Sequence, residues 1–185
     1  VAMSIEPGWN LVGAPTGGIP VGDITPYPNT VFEWDGAGYN AASLLAPFRG
    51  YWVFNPSDAY TVEAAQLRHR VDAAGSAMPH RPARPDWSGA VTLLLDDGRR
   101  RVAYVGASEA ASRGFDEMDV PQPPPSPRHD EPGLWIIGEG PARRLTRSVV
   151  PVRDGATEWV AIVDTAEGGI VTADIGGLPE GYRVA

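Results

Sequence analysis

Apolar residues along this chain recur in short, mostly alternating runs separated by glycines, prolines and Asp-Gly pairs, a period-two pattern that predicts β-strands. In the first third, Val1–Glu6 alternates as an edge strand closed by Pro7-Gly8. Trp9–Gly13, Thr30–Trp34, Gly50–Phe54 and Ala59–Glu63 are further strand-length runs. Asp35-Gly36 predicts a hairpin turn, because this pair accepts positive φ at low cost, and Tyr39 opens the return strand. Ala41–Ala46, ahead of Pro47, reads as a short helical turn. The prolines and glycines between Ala14 and Asn29 forbid a helix or a central strand there. A structured loop pinned by Ile19, Val21, Ile24 and Tyr27 is expected instead. The densest core signal is Val31–Phe54, with its runs VFEW and YWVF.

In the second half, Trp87–Leu95, Asp96-Asp97-Gly98 and Arg99–Val105 form the clearest hairpin. Ser108–Arg113 predicts one helical turn, with Ser108 as its cap and Gly114 as its terminator. Pro121–Pro127 must be extended and reads as a crossing between sheets. Strands recur at Leu134–Ile137, Leu145–Val150, Glu158–Val163 and Gly169–Ile175, and Gly181–Ala185 reads as a strand cut short. The expected class is all-β: predominantly antiparallel β-sandwich with long Pro/Gly-rich loops and at most short helical turns.

Composition sharpens this picture. With 22 glycines and 19 prolines the chain suits many short strands better than helices. Charge steps along it: residues 1–63 hold Glu6, Asp23, Glu33, Asp35, Asp58 and Glu63 against Arg49 alone, whereas residues 68–84 are rich in Arg. That step predicts a small aromatic-rich β domain over 1–63, a linker or long connecting loop over 64–85, and a β-sandwich module over 86–185, read as lacking its last strand.

Chemistry is narrowed by what is missing. There is no cysteine, which excludes disulfides, thiolate metal sites and Cys nucleophiles. There is no lysine, all 15 basic residues being Arg, which excludes Schiff-base chemistry and a P-loop. A net charge of −8 argues against nucleic-acid partners. No apolar run approaches the roughly 20 residues needed to cross a bilayer, so no membrane insertion is expected. The chain begins at Val1 with no basic-then-apolar leader, and it is read as a processed or excised piece from which any targeting signal has been removed.

Two sets of residues carry a resemblance. Gly8-Trp9-Asn10-Leu11-Val12, Val31-Phe32-Glu33-Trp34-Asp35-Gly36, Tyr39 and Gly50-Tyr51-Trp52-Val53 resemble a GWNLI…WDG…Y…GYWV pattern that recurs in large secreted and cell-surface proteins of bacteria. Phe115-Asp116-Glu117-Met118-Asp119-Val120-Pro121-Gln122-Pro123-Pro124 and Leu178-Pro179-Glu180-Gly181-Tyr182 resemble a β-sandwich module found near the C-termini of similar proteins. The resemblance covers about half the chain. It implies a non-catalytic, extracellular or cell-surface module with no catalytic residues to transfer. The chain departs from the module at its C-terminus, where the expected continuation is missing.

The candidate sites follow. Most of the six tryptophans sit in apolar runs and are expected in cores. Adjacent strand residues face opposite ways, however, so one of Tyr51 and Trp52 points outward. Trp34, Tyr39, Tyr51 and Trp52 are therefore the candidates for a glycan-stacking platform. Asp116 and Asp119 are weak calcium candidates. The favoured reading makes them acceptors of backbone hydrogen bonds that fix entry into the proline run, and no cofactor is expected. His69, His80 and His129 lack metal-site spacing, and no Gly-x-Ser-x-Gly or His-Glu-x-x-His is present, so the chain is not expected to be an enzyme. A sheet ending at Tyr182, Arg183, Val184 and Ala185 leaves an open edge for a partner strand. The expected role is a structural, spacer, adhesion or assembly module with a protein partner or self-association; the alternative is a carbohydrate-binding module.

Overall fold

The computed structural model describes residues 2–14, 17–63, 84–126, 131–152 and 157–175. The chain is all-β and predominantly antiparallel, and it divides into two compact units, Val1–Pro82 and Ala83–Ala185. The division falls inside the 64–85 stretch, most of which lies outside the described residues.

In the first unit the strands are β1 (Ala2–Ile5), β2 (Gly8–Gly13), β3 (Ile19–Pro20), β4 (Val31–Trp34), β5 (Tyr39–Ala41), β6 (Leu44–Leu45), β7 (Gly50–Asn55) and β8 (Tyr60–Glu63). A four-stranded antiparallel sheet runs in the order β2-β7-β4-β5, and two small ladders pair β1 with β8 and β3 with β6. Turn chemistry sets these pairings. Gly8 adopts φ 89°, and Asn10 closes the Pro7-Gly8 corner by accepting the Glu6 N–H at 2.9 Å and donating to the Glu6 carbonyl at 2.7 Å. Gly36 adopts φ 97° in the β4–β5 hairpin, where Asp35 Oδ1 accepts the Ala37 and Gly38 N–H groups, each at 2.8 Å. These bonds hold the exposed Asp35 carboxyl below its ordinary range.

Ala41–Ala46 is not helical: β5 and β6 occupy its two ends. The segment is too short to bury a helical face, and Leu45 reaches the core through strand pairing with Ile19. Of the four expected anchors of the Pro/Gly-rich loop, Ile19, Val21 and Ile24 are buried and Tyr27 is half-buried. Ile19, Val21 and Ile24 join Ile5, Val12, Val31, Leu45, Tyr51, Val53 and Val62 in one core.

In the second unit the strands are β9 (Trp87–Leu95), β10 (Arg100–Ser108), β11 (Val120–Pro121), β12 (Gly133–Ile137), β13 (Arg144–Pro151), β14 (Ala161–Asp164) and β15 (Gly169–Asp174). They form one seven-stranded sheet in the order β14-β12-β13-β10-β9-β15, with β11 beside β13. The β9–β10 hairpin turns at Gly98, φ 86°. Pairing is antiparallel except between β10 and β13, which run parallel because the long crossing over 109–143 intervenes. Trp159 lies just before β14, at the opposite edge from β9 and β15, yet its ring meets that of Trp87 at 6.0 Å. The sheet therefore curls enough for Trp159 to reach Trp87 at one end of β9, and Trp87, Leu93, Leu95, Ala103, Val105 and Trp135 are buried.

The helical turn predicted over Ser108–Arg113 is instead a single tight turn. The Ala111 N–H donates to the Ser108 carbonyl and the Ala110 N–H to Ser108 Oγ, and no helix follows because Ala111 is drawn into a small core with Met118 and Val149.

Candidate interaction surfaces

Cross-strand register sorts the four-stranded sheet into two faces. Val12 lies opposite Tyr51, and Val31 opposite Val53. These residues line the core, where Tyr51 is 1% exposed and its hydroxyl accepts the Ala46 N–H at 2.8 Å. On the other face, Trp9 lies opposite Phe54, Leu11 and Phe32 lie opposite Trp52, and Trp34 lies opposite Tyr39. Of the four sequence candidates, the fold brings Trp34, Tyr39 and Trp52 onto one face and turns Tyr51 away into the core. Tyr51 faces inward because its cross-strand neighbours Val12 and Glu33 share the side on which Val53 and Val31 are buried.

The hub of the outer face is Trp9, which was not among the candidates for the platform. Its ring meets Phe54 at 5.1 Å, Phe32 at 5.9 Å and Trp52 edge-on at 6.5 Å. Trp34 and Tyr39 pair edge-to-face at 5.1 Å on the neighbouring hairpin. Phe32 and Phe54 are buried beneath these rings, while Trp9, Trp34, Tyr39 and Trp52 stay half-buried and Leu11 is exposed. A half-covered row of indole and phenol rings can stack on flat apolar surfaces such as sugar rings, and its edge-to-face packing keeps those rings fixed. Phe48 was also missed. It projects from the β6–β7 turn, 92% exposed, at φ 63°.

Asp116 and Asp119 lie between β10 and β11, and all four of their carboxylate oxygens accept backbone N–H groups. Asp116 takes Met118 at 2.8 Å and Ser112 at 2.6 Å; Asp119 takes Val149 at 2.9 Å and Asp116 at 3.1 Å. Burial pushes the Asp119 carboxyl up to about 7. The neighbouring Arg147 guanidinium donates to the Met118 carbonyl, and burial holds it below its ordinary range. This geometry ties the crossing chain to β13. Among the described residues no group of acidic or histidine side chains gathers around a metal position. A cavity of about 300 Å³ opens beside Asp119, with Arg113, Phe115, Ser148, Glu158 and Trp159 in its lining. His69, His80 and His129 lie outside the described residues.

The third surface is an edge. β15 pairs with β9 over six residues, all six are exposed, and no described strand pairs with its other side. Ile170 is 63% and Val171 50% exposed. The edge named from the sequence, Tyr182–Ala185, lies outside the described residues. No helix among the described residues is long and apolar enough to cross a membrane.

No family model matches the chain, and no curated protein or solved structure matches it.

Proposed function

We propose that the chain is a non-catalytic structural and interaction module of a secreted or cell-surface bacterial protein, making its contact by β-strand addition at β15. The observation that carries the reading is the composition of that strand. Protected edges are blunted by lysine, proline, bulges or short length. β15 runs Gly-Ile-Val-Thr-Ala-Asp in unbroken register with β9, with its one charge at its end. An extended segment of a partner docks on such an edge through main-chain hydrogen bonds, with its alternate side chains against Ile170 and Val171. The exported setting is supported by the resemblance of the two aromatic-rich segments.

Display of random dodecapeptides, selected on the wild-type chain and counter-selected on Val171→Pro, tests this. Expected are alternating apolar peptides that bind the wild type and lose binding to the variant. Failure of every selected peptide to discriminate between the two overturns the reading.

A second reading, a carbohydrate-binding module, is favoured by the row formed by Trp9, Trp34, Tyr39 and Trp52 on one sheet face. Six acids against one base in residues 1–63 point to neutral rather than anionic glycans. Affinity gels with neutral polysaccharides decide it, because Trp34→Ala must reduce whatever retention the wild type shows.

A further inference from the structure

Hydrogen-bond alternation across β9 fixes which way the backbone of β15 faces. The Leu95 N–H donates to the Arg99 carbonyl, so in the β9–β10 register Leu95, Leu93 and Val91 bond toward β10. The Asp96 N–H donates to the Gly168 carbonyl, so Leu94, Thr92 and Ala90 bond toward β15, through Ile170, Thr172 and Asp174. The two assignments interlock, each residue of β9 bonding on one side. By the same alternation the N–H and C=O groups of Gly169, Val171 and Ala173 point away from β9, where no described strand meets them.

We propose that the strand received there is β15 of a second copy of this chain, antiparallel, across a two-fold axis through Val171. The inference rests on the reading of β15 as a strand-accepting edge. In this register Val171 lies opposite Val171 of the second copy, and Gly169 opposite its Ala173. Every outward-facing residue then meets an outward-facing residue, so each pair exchanges both of its hydrogen bonds. A slip of one residue sets outward groups against inward ones and closes none of them.

The side chains and charges agree with the same axis. The small residues Gly169 and Ala173 face each other on both sides of a central Val–Val contact. Ile170, which lies beside the exposed Leu94 on β9, is covered by Thr172 of the second copy. Asp174 falls opposite Gly168, which places the two copies' carboxylates at opposite ends of the ladder rather than side by side. Glu167, next to that end, is already paired with Arg99 at 2.9 Å. The contact is isologous and closes on itself, giving a dimer and not a fibre.

The chain has no cysteine, so a single introduced one reports the register unambiguously. In Val171→Cys the two Cα atoms come about 5.5 Å apart, within disulfide reach. In Ala173→Cys each sulfur faces Gly169 of the other copy and is far from its mate. Expected are a dimer in sedimentation that grows with concentration, cross-linking of Val171→Cys but not Ala173→Cys on mild oxidation, and loss of the dimer in Val171→Pro. That proline removes an outward N–H and leaves every bond to β9 intact. Should Val171→Pro not fold, the cysteine pair decides alone. A dimer that survives Val171→Pro, or cross-links equally at both positions, overturns the proposal. A chain that stays monomeric and does not cross-link, yet binds displayed peptides through Val171, overturns the second copy and leaves the edge reading standing. Absence of dimer, cross-link and peptide binding together removes both.

Discussion

Asp119 Oδ1 accepts the Val149 N–H at 2.9 Å, tying a carboxyl that is almost completely buried to the middle of β13. Burial raises this carboxyl to about 7 from 3.8, against the pull of the Val149 and Asp116 N–H groups and of Arg147, and with added push from the Asp116 charge. The folded chain therefore holds a proton that the unfolded chain releases. The stability from the protonated form is fully present below about pH 4 and is lost as pH rises through about 7. Urea midpoints should fall between pH 5 and pH 8, by on the order of a few kcal/mol in unfolding free energy. Asp119→Asn should flatten that slope while costing stability at pH 5, because its amide NH₂ faces one of the two N–H donors. An unchanged slope in the variant assigns the pH dependence elsewhere.

The Tyr51 hydroxyl accepts a partly buried hydrogen bond from the Ala46 N–H, at the start of the β6–β7 turn. Tyr51→Phe keeps the ring in the core and strands that donor. A loss of about 1 kcal/mol in unfolding free energy is expected, with no effect on any glycan retention. A change in retention of the size seen for Trp34→Ala would contradict the assignment of Tyr51 to the core face.

Phe48 holds a left-handed backbone conformation with its side chain almost wholly in water. Glycine takes φ 63° without a Cβ penalty, and there is little burial to lose. Phe48→Gly should therefore raise stability by about 1 kcal/mol, read as an upward shift in thermal midpoint. A fall in the midpoint would mean that the ring stabilises the turn through contacts its exposure does not reveal.

Local chemistry was legible in the sequence wherever one residue decides a turn. Asp35-Gly36 and Asp97-Gly98 sit in the predicted hairpins, and the loop anchors Ile19, Val21 and Ile24 are in the core. Alternation also showed that Tyr51 and Trp52 face opposite ways. It could not say which faced the core, because that depends on Val12 of β2 and Val31 of β4, which both pair with β7 across long stretches of chain. The order of the second sheet was hidden for the same reason. Gly169–Ile175 reads as an ordinary strand, and nothing within it tells that its partner is β9 and its other side an edge. The parallel β10–β13 pairing is likewise a tertiary choice. Trp9 was not singled out because a tryptophan in an apolar run looks the same whether it fills a core or roofs the opposite face of a sheet.

Trp9 separates scaffold from platform. Its ring touches Phe32, Trp52 and Phe54, while Trp34 touches Tyr39 on the neighbouring hairpin. Removing Trp9 opens the cover over Phe32 and Phe54, and Trp9→Ala should cost about 3 kcal/mol, at the lower end for a large aromatic because its site is only half-buried. Trp34→Ala removes an edge-to-face contact with the half-buried Tyr39 and should cost closer to 1 kcal/mol, leaving the fold intact. If the face binds sugars, Trp34→Ala abolishes retention at nearly unchanged stability, whereas Trp9→Phe, which keeps an aromatic cover over Phe54, restores most of the stability lost in Trp9→Ala. Urea unfolding of the three variants alongside affinity-gel retention reads both quantities. Equal destabilisation by Trp9→Ala and Trp34→Ala would show that the two ring clusters share one role, and that the face is a second core rather than a surface.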